Sequence, residues 1–147
     1  MTGFLLDTNV VSELNRPNPS RKVTAFISGQ SLERLHLSEI TFAEIRFGIE
    51  LVASPARRSE LTLWLDNRVR PMFDGRVLPI TEDVLLKWRL IIESGRKRGY
   101  TFSHPDVLIA ATAAHHDLVV VTRNAGEFEA AGVGVLDPWT GKTIEAR

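Results

Sequence analysis

Short apolar runs separated by longer amphipathic stretches constrain this chain more than any other feature of its sequence. The runs lie at residues 3–6, 35–38, 76–80, 118–122 and 133–136, and each is too short to be a helix. Between them, residues 21–29, 40–52, 57–69, 81–98 and 105–116 carry apolar side chains at helical spacing. Strands that alternate with helices require crossover connections, which give a mostly parallel sheet covered on both faces. The expected fold class is therefore α/β, a sandwich of helices around a central, mostly parallel sheet of about five strands. Pro17 and Pro19 with Asn15 and Asn18 mark a loop, and Ser54 with Pro55 marks a helix break. No repeat or linker interrupts the pattern. At 147 residues and 44% hydrophobic content, one domain over 1–147 is expected.

Lysine and arginine number 18, as do aspartate and glutamate, so the formal net charge is zero. A whole-molecule field will not hold a polyanion, and any nucleic-acid contact needs a local patch. The absence of cysteine excludes disulfides and thiolate metal sites and fits a reducing compartment. Asp7 interrupts the only apolar run near the N-terminus, and no basic segment precedes it, so no signal peptide is expected. No stretch is long enough for a bilayer span, and the expected address is cytoplasmic, away from membranes.

Asp7 closes the first run in "FLLDTNVVSEL", and in a parallel α/β sheet ligands gather beyond the carboxyl ends of the strands. Three further segments place a polar or acidic group in the same way. "LSEITFAEIRFG" carries Glu44, "SHPDVLIAATA" carries Asp106, and "VVVTRNAGEF" carries Asn124, with Glu127 one helical turn beyond it. Carboxylates crowded at one place raise each other's pKa unless a cation neutralises them. Mg²⁺, or Mn²⁺ in its place, suits an oxygen-donor set with room for water. Each residue also has an ordinary structural role. Asp7 or Thr8 would start a helix, and Glu44 stands at capping-box spacing from Thr41, with Ser38 an equally good cap. Asp106 stands at the same spacing from Ser103, Asn124 suits a turn, and Glu127 suits a solvent-facing helix position. The signal lies in the set and not in any one member.

Taken in order, "LLDTNVVSEL", "ITFAEIRFGIEL", "DVLIAATAAHHDLVVVTRN" and "DPW" resemble the PIN-domain ribonucleases over nearly the whole chain, in particular the VapC and FitB-type toxins of bacterial toxin–antitoxin pairs. The resemblance implies a PIN-like sandwich and an Mg²⁺-dependent endoribonuclease. It makes Asp7, Glu44 and Asp106 the catalytic, metal-holding acids, Thr8 the hydroxyl that organises the site, and Asn124 and Glu127 supporting residues. Many members carry a fourth aspartate after "TR" where this chain has Asn124, which bears on a second metal. The resemblance also implies a homodimer and an antitoxin whose C-terminal segment lies along the acidic groove, with DNA reached only through that complex. Attack by a metal-activated water on RNA would leave a 5′-phosphate and a 3′-hydroxyl.

Other signals carry less. "GKT" at 141–143 lacks the glycine and following helix of a phosphate loop. His104, His115 and His116 match no zinc spacing. "RKR" at 96–98 reads as a solvated helix end, with an RNA-facing patch alongside Arg89, Arg68 and Arg70 as the alternative. Trp64, Trp88 and Trp139 read as core or interface residues. Two further functions remain open: a binding module without turnover, and a phosphatase that passes through an aspartyl-phosphate at Asp7. The latter pairs its nucleophile with a second aspartate two residues on, where this chain has Asn9.

Overall fold

In the computed structural model, which describes residues 2–147, every expected run lies in one sheet. The strands are β1 (Phe4–Leu6), β2 (Leu35–Ser38), β3 (Val77–Leu78), β4 (Val119–Val121) and β5 (Val135–Leu136). A sixth, β6 (Thr143–Ile144), was not expected. The order is β3-β2-β1-β4-β5-β6, with every neighbouring pair parallel except β5 with β6. β6 has no apolar run to announce it. A turn over 137–142, with Gly141 at φ +81°, folds it back onto β5.

The helices are α1 (Thr8–Glu13), α2 (Arg21–Ser28), α3 (Glu39–Glu50), α4 (Pro55–Trp64), α5 (Arg70–Met72), α6 (Glu82–Lys97), α7 (His104–His116) and α8 (Ala125–Ala130). Ser38 starts α3, its hydroxyl accepting from the Ile40 N–H at 3.1 Å, so the capping box from Thr41 is not used. The expected helix over 57–69 is longer than its spacing shows. It runs from Pro55 through a π turn at 65–69 into α5, and the cause is Pro71, whose ring would strike the carbonyl of Asn67 in a regular helix.

Side chains alternate across β1. Leu5 packs against Ile109, Ala110 and Ala113 of α7, while Phe4 and Leu6 pack with Val10, Val23 and Ile45 on the opposite layer. Both leucines are wholly buried, each contributing about 1.5–3 kcal/mol. Burial on both faces is why the run is continuously apolar. Ala110, Ala111 and Ala113 are also buried, and their small size lets α7 lie close to the sheet.

The chain builds outward from β1 to β2 and β3, then crosses to β4 on the other side. The reversal leaves a crevice between the carboxyl ends of β1 and β4, the place where ligands bind in open α/β sheets. Asp7 follows β1 there, and Thr122, Arg123 and Asn124 follow β4.

Candidate active site

Asp7 continues the ladder by one bond, its N–H donating to the Val121 carbonyl at 2.9 Å, and then serves as N-cap of α1. The helix thus starts from Asp7 and not from Thr8. The carboxylate is 4% exposed and meets a ring of donors. The Thr8 N–H reaches Oδ1 at 2.8 Å, the Thr122 hydroxyl reaches Oδ2 at 2.8 Å, and the Asn9 amide reaches Oδ2 at 3.4 Å. Burial raises its pKa; the bonds from Thr122 and Thr8 oppose the rise, and the charge of Glu127 adds to it.

Thr122 is the hub of this wall. Its Oγ1 donates to Asp7 and accepts from the Asn9 amide at 3.2 Å and from the Asn124 N–H at 2.9 Å. Asn9 in turn accepts from the Arg123 N–H at 3.4 Å. Neither Thr122 nor Asn9 was a candidate from sequence. Thr122 sat at the end of an apolar run, and the one clue was that a hydroxyl closes a strand beside an acid-bearing one.

The opposite wall is built from α7 and α8. Asp106, in the first turn of α7, is half-buried, and Asn124 Nδ2 donates to its Oδ2 at 3.2 Å. Its pKa is pushed up to about 7, first by desolvation, then by the charge of Asp7 and by the hydrogen bond and charge of Glu127; the Asn124 amide works against the rise. Glu127 is not a solvent-facing helix residue. It lies half-buried, and its carboxylate accepts from the N–H and, at 3.1 Å, from the hydroxyl of Ser103. A residue of α8 thereby caps α7, and Ser103 caps nothing with its own side chain.

Asp7, Asp106, Asn124 and Glu127 therefore meet. Glu44, on α3, shares with Thr8 and Trp64 the wall of a cavity of about 220 Å³. Thr8 Oγ1 is buried without a hydrogen-bond partner. A larger cavity, about 600 Å³ beside Phe42, Arg46 and Arg70, contains none of these acids. Chemistry outweighs volume in choosing between them, because the crowded acids that could hold a cation line the crevice and not the larger cavity.

The donor set fits a hard divalent cation. It is all oxygen, its carboxylates repel one another, and a buried hydroxyl lacks a partner. Among the described residues no group of three or more acids or histidines is placed to hold a metal ion, so an ion at Asp7 and Asp106 would need water for the rest of its shell. The histidines offer no rival site, since His104 and His115 stand at opposite ends of α7, roughly 16 Å apart along its axis. Where a phosphatase would need a second acid, Asn9 is already bonded to Asp7.

The sequence profile of the PIN domain family matches residues 4–133. Toxin FitB of Neisseria gonorrhoeae is 41% identical over 136 residues, covering 92% of this chain and 98% of that protein. VapC ribonuclease Y4jK of Sinorhizobium fredii is 40% identical, covering 92% of this chain and 97% of its own length. Among solved structures, the crystal structure of FitAcB from Neisseria gonorrhoeae superposes with a TM-score of 0.88 at 40% identity, over 92% of this chain and 98% of that one. The chain belongs to the PIN-domain family.

Proposed function

We propose that the chain is an endoribonuclease dependent on Mg²⁺ or Mn²⁺ and that it acts as the toxin of a toxin–antitoxin pair. The observation that carries this reading is the meeting of Asp7 with Asp106 beyond β1 and β4, close enough that the charge of one holds up the pKa of the other. The chain's likeness to Toxin FitB and to VapC ribonuclease Y4jK supports this reading.

Asp7 and Asp106 would hold the ion, with Glu44 a further ligand or acting through a water. Bound there, the ion would supply Lewis acidity, lowering the pKa of a water near the phosphorus and offsetting charge on the phosphoryl oxygens. The chain's own residues prepare the site. Thr122, Asn9 and the Thr8 N–H fix Asp7 in one orientation, and Asn124 steadies Asp106. The products carry a 5′-phosphate and a 3′-hydroxyl. An antitoxin arginine or lysine entering the acidic crevice would block it, and DNA would be contacted only through that complex. Phe47 on α3, Leu51 just past its end and Leu63 on α4 are exposed and support association with a partner and with a second copy.

The test is cleavage of single-stranded RNA by the purified chain. Mg²⁺ supports it, EDTA stops it, and Asp7→Asn lowers it by more than about a hundredfold, since even residues that only orient metal ligands are worth 10–100-fold. Full activity of Asp7→Asn, or cleavage in EDTA, overturns the mechanism. Gel-shift activity with no metal-dependent cleavage would favour the binding module instead. If the antitoxin complex cleaves as fast as the free chain, occlusion of the site is wrong.

A further inference from the structure

An acidic crevice on a chain of zero net charge needs a local cation to receive a polyanion. Several arginines are already engaged. Arg57 pairs with Glu60 at 3.0 Å, Arg70 with Asp66 at 3.0 Å and Arg96 with Glu93 at 2.6 Å, while Arg98 donates to the Ala130 carbonyl at 2.9 Å. The patch that residues 96–98 suggested is thus largely committed within the fold.

Arg123 differs. It is exposed, and among the described residues its guanidinium makes no ion pair and no hydrogen bond. Instead its Cζ stands 4.4 Å from the centroid of the Trp139 ring. Trp139 is half-buried against the core layer beneath the sheet, which seats its ring, and its backbone N–H donates to the Asp137 carboxylate at 2.8 Å. A guanidinium stacked on a flat ring keeps its edge N–H groups free, and that edge matches two phosphate oxygens. The residue before it bonds Asp7 and the residue after it bonds Asp106. No other arginine has that placement between the two walls of the site.

We propose that Arg123, seated on Trp139, forms a phosphate-binding subsite that grips the backbone of single-stranded RNA beside the scissile bond. The inference rests on the ribonuclease reading and adds to it how a neutral chain holds its substrate at a cluster of carboxylates. Trp139 is a positioning residue here, because it acts through the arginine.

Binding of a fluorescein-labelled single-stranded RNA, followed by anisotropy in EDTA, separates the subsite from cleavage. Arg123→Ala should weaken binding at least about tenfold, as expected for loss of a charge-assisted bond. It should also reduce the slope of log K against log salt by about 0.7, the value for one phosphate contact to a single strand. Arg123→Lys should retain the slope with weaker binding, and Trp139→Leu should fall between wild type and Arg123→Ala. Arg57→Ala, at an arginine committed elsewhere, should leave both quantities unchanged. In cleavage assays Arg123→Ala should raise KM more than it lowers kcat. Wild-type binding that Arg123→Ala leaves intact, or weaker binding with an unaltered salt slope, overturns the subsite while the ribonuclease reading stands. Binding that depends on Arg123 in a chain that cleaves no RNA with Mg²⁺ removes the ribonuclease reading and keeps the subsite. A wild-type chain that binds no RNA removes both.

Discussion

Asp7 and Asp106 face one crevice from opposite walls, and they are held in opposite ways. Asp7 is buried and surrounded by donors from Thr8, Thr122 and Asn9. Asp106 is half-buried, receives one amide bond from Asn124, and has acids for its other neighbours. A buried charge must be matched by fixed donors or its desolvation is uncompensated. A half-exposed charge among like charges is matched by whatever cation arrives. One wall is an anchor built into the fold, and the other becomes fully charged at neutral pH only with a counter-ion present.

The anchor can be broken at Thr122, and this should be the largest effect short of altering Asp7 itself. Thr122→Val keeps the shape but removes the hydroxyl that Asp7, Asn9 and Asn124 share. Activity should fall about 10–100-fold, the usual result of losing a group that orients a metal ligand. Stability should drop by about 1–3 kcal/mol because Asp7 is left short of a donor while buried. Thr122→Ser should restore most of both. Chemical denaturation and single-turnover cleavage measure the pair, and a valine variant with wild-type values would show that the anchor does not depend on this hydroxyl.

The other wall should answer to pH instead. Asp106 has its pKa raised from 3.8 in the unfolded chain to about 7 in the fold. Between those values the folded state binds the extra proton, so in the metal-free protein the contribution of Asp106 to stability is fully present below the lower value and is lost as pH rises toward the upper one. Asp106→Asn removes that loss. At pH 8 without metal its melting temperature should exceed wild type by about 2–4 °C, the shift that 1 kcal/mol produces in a chain of this size. The gap should close near pH 4. Mg²⁺ at pH 8 should raise the wild-type melting point and leave the variant's nearly unchanged. A variant that melts like wild type at every pH would mean that the crowding of Asp106 has no energetic consequence.

Much of this was readable in the sequence, for a physical reason. Strands buried on both faces leave unbroken apolar runs, and an acid that ends such a run lies at the carboxyl edge of the sheet by construction; Asp7 was legible on that ground. Asp106 was legible only through the set of acid-bearing segments and the resemblance they carry, since Ser103 and Pro105 beside it already gave it an ordinary place at a helix start. What escaped depends on pairings distant along the chain. Thr122 bonds a residue 115 positions away and Ser103 one 24 positions away, and no local period encodes either contact. β6 escaped because two residues ordered by a turn and one partner strand carry no pattern of their own.

Glu127 tests whether the second wall is also structural. Its carboxylate caps α7 through Ser103 while its charge presses on Asp106. Glu127→Ala removes both and should cost about 1 kcal/mol through the lost cap, partly offset by the relieved repulsion. Glu127→Gln keeps an acceptor for Ser103 and removes the charge, so in metal-free buffer it should be the more stable of the two. Equal denaturation midpoints for the two variants would show that the cap contributes nothing.

The smallest expected effect is at Asn124. Its amide donates to Asp106, which a carboxylate in its place would not do, so the departure from a fourth acid supplies a donor as well as removing a charge. Asn124→Asp reverses both changes. Without metal, Asp106 loses the bond that lowers its pKa and gains a like-charged neighbour, so its proton is held more tightly and the metal-free protein becomes less stable at neutral pH. With metal, the added charge strengthens the hold on the ion. Because position 124 is exposed, the gain is that of a solvent-screened pair, about two- to fivefold in the Mg²⁺ or Mn²⁺ concentration giving half-maximal cleavage. Glu127→Gln should move the same curve the other way by a similar factor. Opposite shifts would mean that both positions act on the ion through charge alone. If Asn124→Asp leaves the curve in place while lowering metal-free stability, the amide serves only to steady Asp106, and this side of the crevice takes no part in holding a cation.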